Sequence, residues 1–290
     1  MELFKDIDKG NHNNILKQIK NGIDPNLTHE YGLGVFEYAV SNLDSYNDDP
    51  EENREVGELL LMFIKNKVKI NATLLTETMF DGRFPIDIVE DAFKFSKKKV
   101  AKKFKPYFIT HMSSNALRVG ENYAISLLEL YEKLSTPLNS DELGVLLADS
   151  LFDTQSGIGS CSAGKKQAKN HIPLIEYLLN KGANVNAQSL SGHTPLMRAA
   201  MNELPEACHL LIKHGADVNL VSDKGFTALM FVSGKIYSTH LWEPSEEQLQ
   251  VAEVLLKSNA NKDIKANNNR TALSYAKASK HKNMLTLLES

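Results

Sequence analysis

The chain has 290 residues, of which 42% are hydrophobic and 24% are charged, and its formal net charge is −3. This composition is ordinary for a soluble folded protein, and a charge so close to neutral excludes bulk attraction to nucleic acid or to an anionic membrane. Its two cysteines, Cys161 and Cys208, make no disulfide framework and indicate a reducing compartment. We find neither the apolar core of a signal peptide nor an apolar run of about 18 residues, and we expect a cytoplasmic protein without a membrane span.

Helical hairpins are predicted along the first half of the chain, where apolar residues recur at helical spacing and glycine or asparagine stands at the helix ends. Each segment matches part of the same succession of elements, which is the end of one helix, a turn and the start of the next helix. The segments are 13–26 (NNILKQIKNGIDPN), 31–40 (YGLGVFEYAV), 56–71 (VGELLLMFIKNKVKIN), 81–92 (DGRFPIDIVEDA) and 119–139 (VGENYAISLLELYEKLSTPLN). Pro85 in the fourth segment suits the start of a helix.

A basic cluster follows, with seven lysines between Lys94 and Lys105, interleaved with phenylalanine, valine and alanine. A basic amphipathic helix can bind anionic lipid, nucleic acid or an acidic partner. We favour a helix with one solvated face, because the chain as a whole is nearly neutral.

A segment rich in glycine and serine, 149–174, holds two candidate chemical sites, and neither has the context that it needs. Its stretch 159–165 (GSCSAGK) has the spacing of a phosphate-binding loop, but Lys166 stands where Ser or Thr would bind Mg²⁺, and no apolar strand precedes it. Cys161 and His171 would need a rigid scaffold and a third, orienting group to act as nucleophile and base. We therefore predict a flexible insertion, with no catalytic residue and no cofactor. The histidines form no HExxH motif and the cysteines no CxxC, so no metal site is predicted.

The second half contains two copies of one segment at an offset of 33 residues, 182–200 (GANVNAQSLSGHTPLMRAA) and 215–233 (GADVNLVSDKGFTALMFVS). A fixed period in this range indicates a stack of similar supersecondary units. Thr194 can cap a helix that begins at Pro195, and a second helix is predicted over 206–213, ending at Gly215 with a positive φ. Neither helix can bury its apolar face alone, so the stacked repeats must supply the core.

The pattern resembles the ankyrin repeat, and HTPLMRAA at 193–200 is its strongest signature. The resemblance is clear over 170–290 and degenerate over 1–169. It implies an all-α fold, a single solenoid over 1–290 of about seven helix-turn-helix units with short β-turn fingers. Ankyrin repeats usually carry a histidine after the TPL leucine, and its absence here leads us to expect a thinner polar network between repeats. The positions equivalent to that histidine are Met197, Met230 and Ser274.

Three units are longer than the regular one, and their extra residues fall at the same place, the turn between the first and the second helix. These insertions are 41–55, 149–174 and 233–250. We expect them to project from one rim, opposite the fingers. Insertions confined to one face of a solenoid often mark a binding face.

The resemblance implies protein–protein recognition without catalysis, and we expect a monomer that binds a protein partner and no nucleic acid. A concave surface is predicted to combine fingers with the exposed side of first helices, and the insertion rim is predicted as a second surface. The candidate residues of the concave surface are Ser189, Leu190, His193, Lys224 and Phe226 in fingers, and Arg198 and Asn202 on first helices. Those of the rim are Tyr46, Tyr237, His240 and Trp242, which include the tyrosine and tryptophan types that dominate binding hot spots.

Two further hypotheses stay open on the sequence. The degenerate repeats and the Lys-, Asn- and Ile-rich usage favour, weakly, a bacterial effector acting in a host or an inhibitor of a neighbouring toxin. The competing class is an enzyme in which residues 1–169 form a separate catalytic domain and the repeats target a substrate.

Overall fold

The structure is a computed structural model. It describes residues 2–41 except 10, 25 and 31; 50–96 except 69, 71–74, 76–77 and 81–83; 121–151; 172–234 except 190–191; and 245–290. Within these residues the chain is mostly helical and no strand is present. The all-α prediction is confirmed, whereas the count of about seven repeats stays a prediction.

The described helices are numbered in chain order. They are α1 (Glu2–Asp8), α2 (His12–Lys20), α3 (Val35–Ser41), α4 (Pro50–Lys65), α5 (Ile86–Ser96), α6 (Glu121–Leu134), α7 (Ser140–Ser150), α8 (Ile172–Asn180), α9 (Pro195–Met201), α10 (Pro205–Lys213), α11 (Ala228–Ser233), α12 (Glu246–Lys257), α13 (Ala272–Ser279) and α14 (Lys282–Glu289).

The chain divides into two compact units, unit 1 (Met1–Pro137) and unit 2 (Leu138–Ser290). In unit 1, α1 packs against α2 and α3, α3 against α4, α4 against α5 and α5 against α6. Five aromatic side chains are almost completely buried there, Phe36, Phe63, Phe80, Phe84 and Tyr131. The rings of Phe80 and Tyr131 meet edge to face with centroids 5.7 Å apart, an arrangement that aromatic pairs prefer. Unit 1 thus has a core of its own, and the single solenoid over 1–290 stays a prediction.

Unit 2 is built from helix pairs that stack in two layers. The pairs are α7 with α8, α9 with α10, α11 with α12, and α13 with α14. The first helices α7, α9, α11 and α13 each contact the next in one layer, and the second helices α8, α10, α12 and α14 do so in the other. Leu196 and Ala199 of α9, and Leu211 of α10, are buried between the layers. This is the mutual burial that the period predicted.

Three first helices of unit 2, α9, α11 and α13, begin at a capping threonine, whereas Asn139 caps α7. The hydroxyl oxygen of Thr194 accepts from the N–H of Met197 at 3.2 Å, and Thr227 and Thr271 cap α11 and α13 in the same way. Pro195 is the first residue of α9, where its missing N–H costs nothing. The predicted start of this helix is confirmed.

A residue with left-handed backbone follows each of the second helices α8, α10 and α12. The N–H of Gly215 donates to the carbonyl of Ile212, and that of Ala216 to the carbonyl of Leu211 at 3.0 Å, which satisfies carbonyls that the helix leaves open. The same pair of bonds closes α2, α4, α8 and α12. The left-handed residues, with their φ angles, are Gly22 (93°), Lys67 (62°), Gly182 (86°), Gly215 (90°) and Asn259 (64°). The predicted positive φ at Gly215 is confirmed, and the same ending recurs in unit 1.

The α7–α8 pair belongs to the stack although an insertion separates its helices. A Cβ at Gly144 of α7 would lie 2.3 Å from the carbonyl oxygen of Asn184, so only glycine permits this approach. The carbonyl of Ser140 accepts from the N–H of Asn184 at 2.8 Å, and the Ser140 hydroxyl donates to the carbonyl of Gly182 at 2.7 Å. These bonds fix the start of α7 against the turn that follows α8.

The three insertions lie where the sequence placed them, between a first and a second helix. They separate α3 from α4, α7 from α8 and α11 from α12, whereas three residues, Asn202, Glu203 and Leu204, join α9 to α10. The central parts of the insertions, 42–49, 152–171 and 235–244, lie outside the described residues, as do the phosphate-loop-like motif, Cys161, His171 and the lysines from 97 to 105. Their projection from one rim stays a prediction.

Candidate partner-binding surface

Turns that we call fingers lead from a second helix into the next first helix, and they share one geometry. In each, the first residue donates its N–H to the carbonyl of the fifth, and the fourth residue donates to the carbonyl of the first, at 2.8–3.0 Å. The fourth residue has a positive φ, which glycine, and to a lesser extent asparagine, adopts readily. The fingers are 29–33 in unit 1, and 189–193, 222–226 and 266–270 in unit 2, with Gly32, Gly192, Gly225 and Asn269 at the fourth position.

An asparagine side chain in unit 2 joins each of two successive repeats to the next. Its side-chain N–H donates to the carbonyl of the left-handed residue that follows the second helix of the next repeat. Its side-chain oxygen accepts from the backbone N–H two residues after that one. The two sets are Asn186 with Gly215 and Asp217 (3.3 and 2.9 Å), and Asn219 with Asn259 and Asn261 (3.3 and 2.7 Å). These bonds hold the bases of the fingers in a fixed register.

Two fingers of unit 2, 222–226 and 266–270, have exposed residues at their tips. Val221, at the base of finger 222–226, keeps 41% of its surface exposed, and Asp223 and Lys224 are exposed beside it. In finger 266–270 four of the five residues are exposed, and Arg270 is one of them. The tips thus present amide and charged groups on a backbone held by hydrogen bonds. Lys224 is thus accessible to a partner, and its role in binding stays a prediction.

A family model for ankyrin repeats, built on three copies, matches residues 163–236. The chain contains ankyrin repeats. The match covers α8 to α11 with the two fingers between them, and α12 to α14 continue the same stack beyond it.

Known proteins resemble the chain over part of its length. Ankyrin repeat, SAM and basic leucine zipper domain-containing protein 1 of Ornithorhynchus anatinus is 28% identical over 168 residues, which is 58% of this chain and 31% of the relative. Neurogenic locus notch homolog protein 1 of Xenopus tropicalis is 34% identical over 97 residues, 33% of this chain and 3% of the relative. The chain therefore spans less than a third of the length of these relatives.

Four candidate residues of the concave surface are buried, contrary to expectation. Ser189, His193, Arg198 and Phe226 each keep less than a tenth of their surface exposed. The Phe226 ring meets the rings of Phe231 and Tyr275 edge to face, with centroids 5.6 and 5.9 Å apart. His193 meets Phe231 in the same manner at 5.3 Å. The prediction that these side chains are exposed is wrong, because the aromatic ones join the layer that links each finger to the helices behind it.

Arg198 forms the centre of a partly buried charged cluster. Burial raises the pKa of Asp149 to about 6, although attraction to Arg198 acts in the opposite direction. Burial also lowers the pKa of His193 to about 4, and repulsion by Arg198 adds to the effect. The cluster links the end of α7 to α9 and to the finger before it. Arg198 is thus a structural residue of the repeat stack. Its predicted role in binding stays a prediction, and the burial of its side chain does not support it.

Asn202 is half-buried and joins two repeats rather than presenting its amide outward. Its side-chain N–H donates to the carbonyl of Leu151, the residue that follows α7. The neighbouring Glu203 accepts from the hydroxyl of Ser245, the cap of α12. Both contacts hold the turn between α9 and α10 against adjacent repeats. The remaining candidates, Leu190, Tyr46, Tyr237, His240 and Trp242, lie outside the described residues, and their roles stay predictions.

A groove that the sequence did not reveal lies at the starts of three second helices. It has a volume of about 230 Å³. Its lining includes Ile172, the first residue of α8, Leu204 and Pro205 at the start of α10, and Glu247 in the first turn of α12. α8 and α12 are also the helices that follow two of the insertions in the sequence. Nothing in a repeat pattern marks such a groove, because its walls come from three separate units.

The described residues hold no group of histidine, cysteine, aspartate and glutamate side chains that could bind a metal ion. In that part of the chain no helix is long and apolar enough to cross a membrane. Cys208 is fully buried, as predicted, and burial raises the pKa of its thiol. The hypothesis of a catalytic domain in residues 1–169 gains no support from unit 1, whose described residues repeat the helix endings and the finger of unit 2.

Proposed function

We propose that the ankyrin repeats of unit 2 bind a protein partner through the exposed residues of their fingers. Ankyrin repeats generally mediate protein–protein interaction. The observation that carries the proposal is the exposure of Asp223, Lys224 and Arg270 in two neighbouring fingers, with Val221 exposed at the base of the first, on turns that neighbouring repeats hold in place. A surface already ordered before binding loses little conformational entropy when a partner docks.

The proposed surface differs from the one expected from the sequence. Phe226 and Arg198 support it from behind, and Lys224 remains a direct contact residue. Phe226→Ala would therefore lower the melting temperature, because it removes a buried ring, and it cannot separate binding from folding. An exposed residue must be used for the test.

A charge reversal at a finger tip tests the proposal. Lys224→Glu should reduce capture of the partner from native lysate at least about tenfold, a change of about 1.4 kcal/mol or more. The matched control is Lys213→Glu, the same substitution at an exposed position of α10. Capture is quantified by mass spectrometry beside a melting curve for each variant. Equal capture by both variants would place the binding surface elsewhere.

A narrower role in a bacterium, as an effector delivered into a host or as the inhibitor of a neighbouring toxin, remains part of the proposal. Its support is the residue usage and the degenerate repeats of the first half. A translocation-reporter fusion tests delivery, and a toxin encoded beside the gene would favour inhibition.

A further inference from the structure

Unit 1 contains a cavity of about 380 Å³ between α1, the finger 29–33 and α3. The cavity belongs to unit 1, whereas the proposed finger surface belongs to unit 2, and it concerns a separate binding event. Aromatic and charged side chains line it, and those that matter here are Phe4, His29, Tyr38, Asp8, Glu30 and Lys5.

Three rings form one wall of this cavity. His29 and Tyr38 stack with centroids 4.4 Å apart and an interplanar angle of 29°. Phe4 meets both of them edge to face at 5.0 Å, and it is itself buried. Because the backbone N–H and the backbone carbonyl of His29 both form hydrogen bonds within the finger, this wall is held in place without a ligand.

Two carboxylates border the same cavity. Asp8 accepts from the hydroxyl of Tyr38 at 2.8 Å, which fixes the carboxylate beside the rings. Glu30 adds a second negative charge, and Lys5 contributes one positive charge at the end of a flexible chain. The lining therefore carries an excess of negative charge, and it favours a cationic ligand.

We propose that this cavity binds the side chain of an arginine residue in a partner protein. A guanidinium is planar, so it can stack on an aromatic face while its N–H groups donate to carboxylates. Its weak hydration lowers the cost of entering a partly apolar site. Leu27, also in the lining and 38% exposed, offers an apolar contact for the residue next to the arginine.

The test uses N-acetyl-arginine-N-methylamide as the probe, titrated into the full chain labelled with ¹⁵N. Saturable shifts should be confined to the amides of residues 4–8, 27–30 and 38. N-acetyl-citrulline-N-methylamide, which has nearly the same shape without the charge, should produce none. N-acetyl-lysine-N-methylamide should bind several-fold more weakly, because an ammonium cannot stack in plane.

Variants of the two carboxylates decide which groups bind the probe. Asp8→Asn keeps an oxygen for the Tyr38 hydroxyl, and Glu30→Gln leaves the backbone of the finger unchanged. Each should weaken the arginine probe about tenfold, as expected for loss of a charge-assisted hydrogen bond. Glu2→Gln is the matched control, since Glu2 is exposed on the same helix and lies outside the lining. Melting curves establish that each variant is folded. If Asp8→Asn does not fold, the affinity of Glu30→Gln alone decides whether the carboxylates bind the probe.

Several outcomes would overturn the proposal. Equal shifts with citrulline would exclude recognition of charge, and equal affinity for lysine would exclude recognition of the guanidinium. Wild-type affinity in both carboxylate variants, or shifts outside this cavity, would remove the assigned site. None of these results depends on a partner of unit 2, so they leave the proposed function untouched.

Discussion

At the scale of single residues, the asparagine three residues before each of two fingers carries much of the order between repeats. The sequence shows Asn186 and Asn219 as recurring letters of the period, but it does not show that their side chains reach the next unit. The sequence points instead to the missing histidines at Met197 and Met230, which are buried apolar residues in the structure. The sequence shows the repeated position, whereas the partner of each side chain lies in the next repeat and no local pattern reveals it.

Asn219→Ala should lower the free energy of unfolding by about 1–2 kcal/mol, because it removes one bond to the Asn259 carbonyl and one from the Asn261 N–H. Urea denaturation of the full chain followed by circular dichroism measures the loss. Lys265→Ala, an exposed substitution nearby, should change stability by less than about 0.5 kcal/mol. Equal effects of the two variants would show that the asparagine bonds are not stabilising.

Asp149 predicts a pH dependence whose sign follows from its raised pKa. An aspartate in the unfolded chain titrates at about 3.9, whereas burial raises the pKa of Asp149 to about 6. The folded protein therefore binds more protons than the unfolded chain between about pH 4 and 6, and ionisation costs stability as the pH rises through that window. Compared with Asp149→Asn, the wild type should lose stability between pH 4 and 6.5 and stay level below pH 4.

His193 acts in the opposite direction and must be kept constant in that comparison. Its pKa falls to about 4 on burial, so its contribution to stability is lost as the pH falls from about 6.5 to 4. Denaturation of wild type and Asp149→Asn at each pH cancels the histidine effect, because both proteins carry it. A stability difference that does not vary with pH would contradict the raised pKa of Asp149.

At the scale of elements, helix starts and ends were the most predictable features. Thr194 with Pro195, and Gly215, have side-chain or backbone properties that specify a cap within a few residues, so local sequence suffices. The finger 29–33 and the ends of α2 and α4 follow the same rules in the degenerate half. The start of α4 at Pro50 lies inside the expected insertion 41–55, because a helix can extend into an insertion without changing the repeat pattern.

Gly215→Ala tests the cap of α10. A Cβ there would meet no atom within 4 Å, so any loss comes from the left-handed backbone, which costs a non-glycine residue about 1–2 kcal/mol. Asn259 already adopts this conformation at the end of α12. Asn259→Gly is therefore the reciprocal variant, and it should be neutral or slightly stabilising. If Gly215→Ala leaves the melting temperature unchanged, the φ of 90° is not a constraint.

At the scale of the whole molecule, the all-α class and the repeat stack of unit 2 were predictable, because a 33-residue period admits few architectures. The binding surface was less predictable from the sequence. Phe226 packs on Tyr275 and Arg198 lies near Asp149, and because these two neighbours come from adjacent repeats, no single repeat records those contacts. The groove beside Leu204 and the aromatic cavity of unit 1 likewise join residues that are distant in sequence.

Site-specific photo-crosslinking tests most directly whether the fingers of unit 2 bind a protein. Benzoylphenylalanine replaces Lys224 at a finger tip in one protein and Lys213 on α10 in another, and crosslinked products from native cells are identified by mass spectrometry. We predict that position 224 captures one defined protein in high yield and that position 213 does not. Capture of the same protein at 213 alone, or equally at both positions, would contradict binding through the fingers.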